Sequence, residues 1–184
     1  FTTRPDTIFG VTFMVFAPEH PFVKKVWDKI LNKDEVENYI KRSKNKSDLE
    51  RQIEKEKTGV MLKGITAKVP LSNKNVPIFV ADYVFMDYGT GVIMAVPAHD
   101  ERDFQFAKKY EMEIVQVIKA EQETDNFENI EKEKTDYNNS EPVNECVYLG
   151  EGTMINSDKY TGMRSEEFRK KVVEDLEKFG LGRS

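Results

Sequence analysis

The first seven residues, FTTRPDT, place three threonines, an arginine and an aspartate around one apolar side chain. Thr3 and Asp6 have the spacing of a capping box, and Pro5 suits the first turn of a helix. A helix start leaves backbone N–H groups unpaired and carries a positive dipole end, which would favour a developing oxyanion. Thr2, Thr3 and Thr7 would surround such a site. Helix capping by Thr3 alone is the purely structural alternative.

A second group of chemically useful residues lies between positions 88 and 103, in YGTGVIMAVPAHDERD. Two glycines permit close backbone approach, and the apolar run after them predicts a buried strand that ends at His99. Asp100 and Asp103 then open a helix, where either could act only as a cap. The histidine and the two carboxylates could also bind a metal ion, but no second histidine or cysteine cluster accompanies them. The residues alone predict a small-molecule or ester site shared between the two segments.

The elements that must position these residues include both helical and extended patterns. The patterns predict a short helical turn over 4–9, helices over 21–31, 34–57 and 165–179, and a further helix from residue 100. Within 34–57, Ser47 and Glu50 have the spacing of a second capping box. They predict strands over 11–16, 60–62, 65–69, 76–80, 91–96, 113–118, 147–148 and 153–155. The polar segment 121–141 is typical of a surface excursion. Short strands among helices, without strict alternation, predict an α/β domain around a mixed or closed sheet.

Composition narrows the function further. Charged residues make up 33% of the 184 residues and the net charge is −5, which argues against a module that binds many phosphates of a nucleic acid. This charge is still compatible with contact to one end of a nucleic acid. No apolar run approaches the ~20 residues of a membrane span, and the lone Cys146 fits a reducing compartment, so we expect a cytoplasmic protein. The start without methionine suggests one domain, residues 1–184, of a longer chain.

The two segments carry a resemblance to a known family. TTRPDT at 2–7 resembles the threonine-rich motif of the editing domain inserted in bacterial-type leucyl-tRNA synthetases. ADYV at 81–84, MDYGTG at 86–91 and MAVPAHDERDF at 94–104 are similar to its second signature block, in the same order and spacing. Weaker similarities occur at 57–60 and 155–157, while the turn at 61–64 departs from the family pattern. Valyl enzymes resemble the first block with Glu in place of Asp6, and isoleucyl enzymes lack its Arg-Pro-Asp.

The resemblance implies a hydrolase within a synthetase. A binding pocket gains only ~1–3 kcal/mol from one methylene, so amino acids similar to leucine are attached in error. The implied activity cleaves the ester of tRNA(Leu) charged with noncognate amino acids such as norvaline, isoleucine or methionine, and spares leucyl-tRNA. The alternatives are a module that binds the tRNA 3′ end without hydrolysis, and the editing domain of a valyl or isoleucyl enzyme. The implied fold is a mixed, barrel-like β-sheet core surrounded by helices.

The resemblance also implies roles for individual residues. Asp103 would pair with the α-ammonium group of the substrate through a charge-assisted hydrogen bond. Thr2, Thr3 and Arg4 would line the terminal adenosine and the scissile ester. Thr7 would obstruct the leucine side chain by its bulk and so protect the correct product.

The remaining implied residues shape the pocket. Tyr88 and Met94 would line the space for the amino-acid side chain, His99 would contact the substrate, and Asp100 would shape the site or position water. An aminoacyl ester is already reactive, so the editing step is expected to need no metal, cofactor or nucleophilic side chain. ATP and Mg would belong to the synthetic domain of the parent enzyme. The expected partner is the charged 3′ end of tRNA(Leu), bound by a monomer.

Overall fold

The computed structural model describes residues 1–54, 56–120 and 147–183, so the whole predicted excursion at 121–141 and Cys146 lie outside the described residues. The strands are β1 (Phe13–Phe16), β2 (Gly59–Lys68), β3 (Asn75–Ala81), β4 (Val92–Ala95), β5 (Ile118–Lys119) and β6 (Thr153–Met154). The α-helices are α1 (Pro21–Lys25), α2 (Lys33–Lys44), α3 (Asp48–Ile53), α4 (Glu101–Lys109) and α5 (Ser165–Lys178). In these ranges, 3₁₀ helices cover Pro5–Gly10, Trp27–Lys29 and Asp158–Tyr160.

The main sheet has four strands in the order β2-β3-β1-β4. The central strand β1 pairs with β3 in parallel and with β4 in the antiparallel sense, while β2 and β3 are antiparallel. Successive side chains of a strand point to opposite faces, which explains why β1 is apolar throughout. Phe13 packs with α4 through a stacked Phe106 ring at 5.2 Å, and Phe16 belongs to the cluster that contains Val36 of α2. Helices therefore cover both faces of a mixed sheet.

The expected barrel-like core is wrong. Within the described part of the chain the four-stranded sheet is open, with β2 and β4 at its edges, and β5 and β6 form a separate two-stranded sheet. Closing a barrel requires a continuous ladder from the last strand to the first, with matched tilt and stagger. The short β4 offers only four residues for such pairing. Because α2 and α4 already bury the two faces, the sheet hides its apolar surface without closing.

Several elements differ from the predicted ones in length. The two strands predicted around residue 64 form one strand, β2, in which Gly64 has a φ of 97° and the register with β3 shifts between Met61 and Thr66. The long helix predicted over 34–57 divides into α2 and α3, and the Ser47 side chain caps α3 together with Glu50, which confirms the predicted capping box. In the described ranges, no helix is both long enough and apolar enough to cross a membrane.

Candidate functional site

The N-terminal segment forms a 3₁₀ helix that begins after Arg4. The Thr7 hydroxyl donates to the Arg4 carbonyl at 2.8 Å, and the Thr2 hydroxyl oxygen accepts from the Arg4 N–H at 3.0 Å. The predicted cap by Thr3 is wrong, because Arg4 occupies the N-cap position and makes no side-chain cap among the described residues. Thr2 and Thr3 are exposed and Thr7 is fully buried. The three threonines therefore lie at different depths along one segment.

Asp6 holds this segment against helix α5. Its carboxylate is fully buried and accepts from the Arg4 guanidinium at 2.9 to 3.1 Å and from the Arg169 guanidinium at 3.1 and 3.2 Å. Burial alone would raise the pKa of Asp6, but the hydrogen bonds from Arg169 and Arg4 outweigh it and lower that pKa. Arg169 also contacts the Glu151 carboxylate. In the sequence, Asp6 is recognisable as part of a capping pattern and of the opening motif, but no local signal marks Arg169 as its partner.

The opening residue lies beside strand β4 and the glycine turn before it. The Phe1 nitrogen donates to the Val92 carbonyl at 3.3 Å, and the Phe1 ring meets the Tyr88 ring edge-on at 5.9 Å. Gly89 has a φ of 61°, and a Cβ there would lie 2.6 Å from the Phe1 ring. Because only glycine fits this close approach, the sequence motif between 88 and 91 brings the two predicted halves of the site together.

The two aspartates at the start of α4 have different partners. The Asp100 carboxylate accepts from the backbone N–H groups of Arg102 at 2.9 Å and of Asp103 at 3.1 Å, so Asp100 is the helix cap. Asp103 turns inward, where it accepts from the Tyr83 hydroxyl at 3.1 Å and from the Val96 N–H at 2.9 Å. Burial, with the nearby Asp100 charge as the second cause, raises the pKa of Asp103 to about 7. A buried carboxylate with so few donors suits a cationic partner.

His99 uses both ring nitrogens to hold backbone segments together. Nε2 accepts from the Val117 N–H at 3.0 Å, so the proton sits on Nδ1, which donates to the Tyr148 carbonyl at 2.8 Å. Burial lowers the pKa of His99 and keeps the ring neutral. Arg4 donates to the adjacent Leu149 carbonyl at 3.1 Å, which ties the same segment to the opening motif. Contact of His99 with a substrate stays a prediction.

Met94 lies on β4, half-buried, and packs against the core cluster that contains Ile8 and Val96. Its predicted role as a wall of the pocket for the amino-acid side chain stays a prediction. In the described ranges, no group of three or more His, Cys, Asp or Glu side chains could hold a metal ion.

A cavity of about 330 Å³ lies elsewhere, between α2, the start of β2 and the end of α4. None of the predicted site residues lines it. Its buried carboxylate, Asp82, is paired with Lys46 at 2.9 Å.

Comparison with known proteins now identifies the family. The family model described as "Leucyl-tRNA synthetase, editing domain" matches residues 1–177. Leucine–tRNA ligases of Alkaliphilus oremlandii, Clostridium tetani and Rubrobacter xylanophilus are 42%, 45% and 46% identical over 99–100% of this chain, which covers 20–21% of their lengths. The chain belongs to the leucyl-tRNA synthetase editing-domain family, and it spans about a fifth of these curated relatives.

A solved structure has the same fold. It is the ternary complex LeuRS-tRNA-LeuAMS of the agnB2 enzyme from Agrobacterium radiobacter K84. The TM-score is 0.65 at 24% identity, over all of this chain and 17% of that one. This similarity supports the mixed α/β fold described above for this chain.

Proposed function

We propose that this domain proofreads tRNA(Leu) by hydrolysing the ester of noncognate aminoacyl groups, such as norvaline, isoleucine or methionine, and sparing leucyl-tRNA. Family membership supports proofreading as the general role. The observation that carries the proposed chemistry is the buried Asp103 carboxylate at the end of β4, since an α-ammonium group is the cation that every aminoacyl ester presents. A charge-assisted hydrogen bond to that group would hold the ester in one orientation.

The length of strand β4 determines the distance between the two ends of the proposed site. The Phe1 nitrogen bonds to Val92 at one end of this strand, and Asp103 accepts from the Val96 N–H just beyond the other end. Four residues of extended chain separate the two points by about 13 Å. The exposed Thr2 and Thr3 hydroxyls would contact the terminal adenosine at the first end, and the ester, whose carbonyl is bonded to the carbon that carries the ammonium group, would lie towards Asp103.

Arg4 would contribute by fixing the segment that carries the threonines. Its guanidinium is engaged with Asp6 and with the Leu149 carbonyl, and its own carbonyl accepts from Thr7. Water would then attack the ester carbonyl, the bond to the ribose oxygen would break, and the products would be the free amino acid and uncharged tRNA. Because the ester is already reactive, the site needs mainly to orient the ester for attack by water and to exclude leucyl-tRNA.

Thr7 is suited to reject leucine because its side chain has one fixed orientation. A β-branched side chain is already restricted at χ1, and the 2.8 Å hydrogen bond from its hydroxyl to the Arg4 carbonyl selects one rotamer. The γ-methyl group therefore occupies a constant position, where it would block one branch of a leucyl side chain and tolerate a straight chain. Met94 and Tyr88 would complete the walls.

The proposed partner is the charged 3′ end of tRNA(Leu). The solved relative of the same fold contains tRNA in its complex, which supports this partner. The net charge of −5 fits a domain that contacts only the tip of the nucleic acid. We propose a cytoplasmic setting, one copy of the domain per site, and no cofactor for the hydrolytic step, with ATP and Mg used elsewhere in the full-length protein.

The test measures deacylation of norvalyl- and leucyl-tRNA(Leu) by the full-length protein that carries this domain. Asp103→Asn should abolish norvalyl-tRNA hydrolysis. Thr7→Ala should allow hydrolysis of leucyl-tRNA, while Thr7→Val, which keeps the bulk, should not. Asp175→Asn is the matched control, because Asp175 is also buried and accepts from a tyrosine but lies on α5. Full norvalyl-tRNA hydrolysis by Asp103→Asn would rule out the ammonium site, and tRNA binding without any hydrolysis would favour a binding module.

A further inference from the structure

We propose that Tyr83 is a positioning residue for the ammonium site: its hydroxyl, together with the Val96 N–H, fixes the orientation of the Asp103 carboxylate. This inference rests on the proposed role of Asp103 in binding the substrate's α-ammonium group. Tyr83 lies outside the opening motif and the α4 start, in the ADYV segment at 81–84, and its position in the sequence indicates no role.

The geometry gives each carboxylate oxygen of Asp103 its own donor. The Tyr83 hydroxyl donates to Oδ1 at 3.1 Å and the Val96 N–H donates to Oδ2 at 2.9 Å. The carboxylate cannot rotate about its Cβ–Cγ bond without losing both hydrogen bonds. Each oxygen has two lone pairs, so one lone pair on each remains for an ammonium group. The two donors and the carboxylate come from three different parts of the fold: Tyr83 from the turn after β3, Val96 from the end of β4, and Asp103 from helix α4.

The surrounding core keeps Tyr83 in place. Tyr83 is 4% exposed, and its ring packs against Phe106 with centroids 5.6 Å apart. Phe106 in turn contacts Phe13 of β1 and Phe79 of β3. The hydroxyl is thus attached to a buried cluster of aromatic rings. A rigid support of this kind holds a functional group more accurately than a surface loop can.

The charges around Asp103 explain why a neutral donor matters. Asp100 on the same helix disfavours the ionised form and Arg102 favours it, while the Tyr83 hydroxyl and the Val96 N–H favour it from the β3 and β4 sides. Burial and the nearby Asp103 charge raise the pKa of Tyr83 well above its ordinary value, so its hydroxyl stays protonated and remains a donor at working pH. Removing that hydroxyl should make Asp103 harder to ionise and leave one oxygen without its donor.

The experiment compares Tyr83→Phe with wild type in the full-length protein, using norvalyl-tRNA(Leu) and measuring kcat/KM between pH 5.5 and pH 9. The rise of activity with pH should follow ionisation of Asp103, and the fall at higher pH should follow loss of the substrate's ammonium proton. Tyr83→Phe should move the rising limb upward by about one pH unit, which is about a tenfold loss of activity below the limb. The falling limb should not move.

Tyr160→Phe is the matched control, because it removes a tyrosine hydroxyl that donates to a buried aspartate, Asp175, outside the site. Its profile should match wild type. A rising limb for Tyr83→Phe that coincides with wild type, while Asp103→Asn is inactive, would overturn the role of Tyr83 alone. Full activity of Asp103→Asn would instead remove the proposed ammonium site itself.

A second variant keeps the test decisive if Tyr83→Phe fails to fold. Replacing Tyr83 by 3-fluorotyrosine retains the ring and the hydroxyl but makes the hydroxyl a stronger donor. The rising limb should then move to lower pH. An unchanged limb with this residue would also overturn the inference.

Discussion

Replacing Asp6 by alanine tests whether the 3₁₀ helix that carries Thr7 depends on charge contacts with α5. The Asp6 carboxylate is fully buried and accepts from the guanidinium groups of Arg4 and Arg169. Asp6→Ala would remove the buried counter-charge that the two guanidinium groups share and leave Arg169 with the more exposed Glu151 carboxylate. Breaking a buried ion pair by removing one partner costs about 3–5 kcal/mol.

The expected value lies near the lower end of this range. The side chains of Arg4 and Arg169 are 29% and 33% exposed, so each can turn partly towards water once Asp6 is gone. We therefore expect a loss of about 3 kcal/mol in the free energy of unfolding at pH 7. For a chain of this size, that loss corresponds to a decrease in Tm of roughly 6–12 °C.

The effect should depend on pH in a defined direction. The pKa of Asp6 is lowered in the folded chain, because the hydrogen bonds from Arg169 and Arg4 outweigh the effect of burial. A carboxyl group of this kind adds stability above its unfolded-state pKa, and that contribution is lost as the pH falls through the folded-state pKa. The difference between wild type and Asp6→Ala should thus be complete at pH 7 and shrink below about pH 4.

Urea unfolding of the 184-residue chain, followed by circular dichroism at pH 7 and pH 3, measures both effects. Glu151→Gln is the control, because Glu151 contacts the same arginine, Arg169, but is 39% exposed and should contribute less than about 1 kcal/mol. A double-mutant cycle between Asp6→Ala and Arg169→Ala isolates their coupling. The reasoning is refuted if Asp6→Ala costs no more than Glu151→Gln, or if its cost is the same at both pH values.

Three other results are expected. Because the pKa of Asp103 is raised from 3.8 to about 7, wild-type stability should decrease as the pH rises between these values, and Asp103→Asn should remove this decrease. Thermal unfolding of both proteins from pH 4 to pH 8 tests this, and parallel curves of Tm against pH would contradict it. Asp100→Ala should cost about 1 kcal/mol in urea unfolding through loss of the α4 cap, whereas Asp100→Ser should retain most of the stability; equal losses would argue against capping. Binding of tRNA should weaken only gradually with salt, and a log–log slope equivalent to about six or more phosphate contacts would be inconsistent with the small contact area proposed here.

Local patterns predicted the elements of the fold better than their arrangement. The apolar run of β1, the Ser47 capping box and the start of α4 at Asp100 each depend on neighbours within a few residues, and the structure contains all three. The open sheet could not be read in the same way, because closure depends on which strands pair over long distances in the chain. The single strand β2 was divided in the prediction because Gly64 reads as a break, whereas its positive φ is accommodated within the strand.

In the candidate site, too, local patterns were predictable and long-range contacts were not. The residue types at 2–7 and 88–103 marked two segments, and the contact of Phe1 with Tyr88 brings them together. The supporting contacts could not be predicted, because Tyr83 reaches Asp103 across 20 positions and Arg169 reaches Asp6 across 163. Such pairs are selected by the packing of sheet and helices, and each side chain alone has the pattern of an ordinary core or surface residue.

The separation of Asp6 from Arg169 also has a consequence for the order of folding on the ribosome. At about 5–20 residues per second, roughly 8–30 s pass between synthesis of Asp6 and synthesis of Arg169. During this time the opening segment has no counterpart from α5, and β1 must also wait for its neighbours β3 and β4. The opening segment of this domain is therefore synthesised before its α5 partner and reaches its final position late. Until β3 and β4 have been synthesised, the apolar β1 segment lacks the two strands with which it pairs.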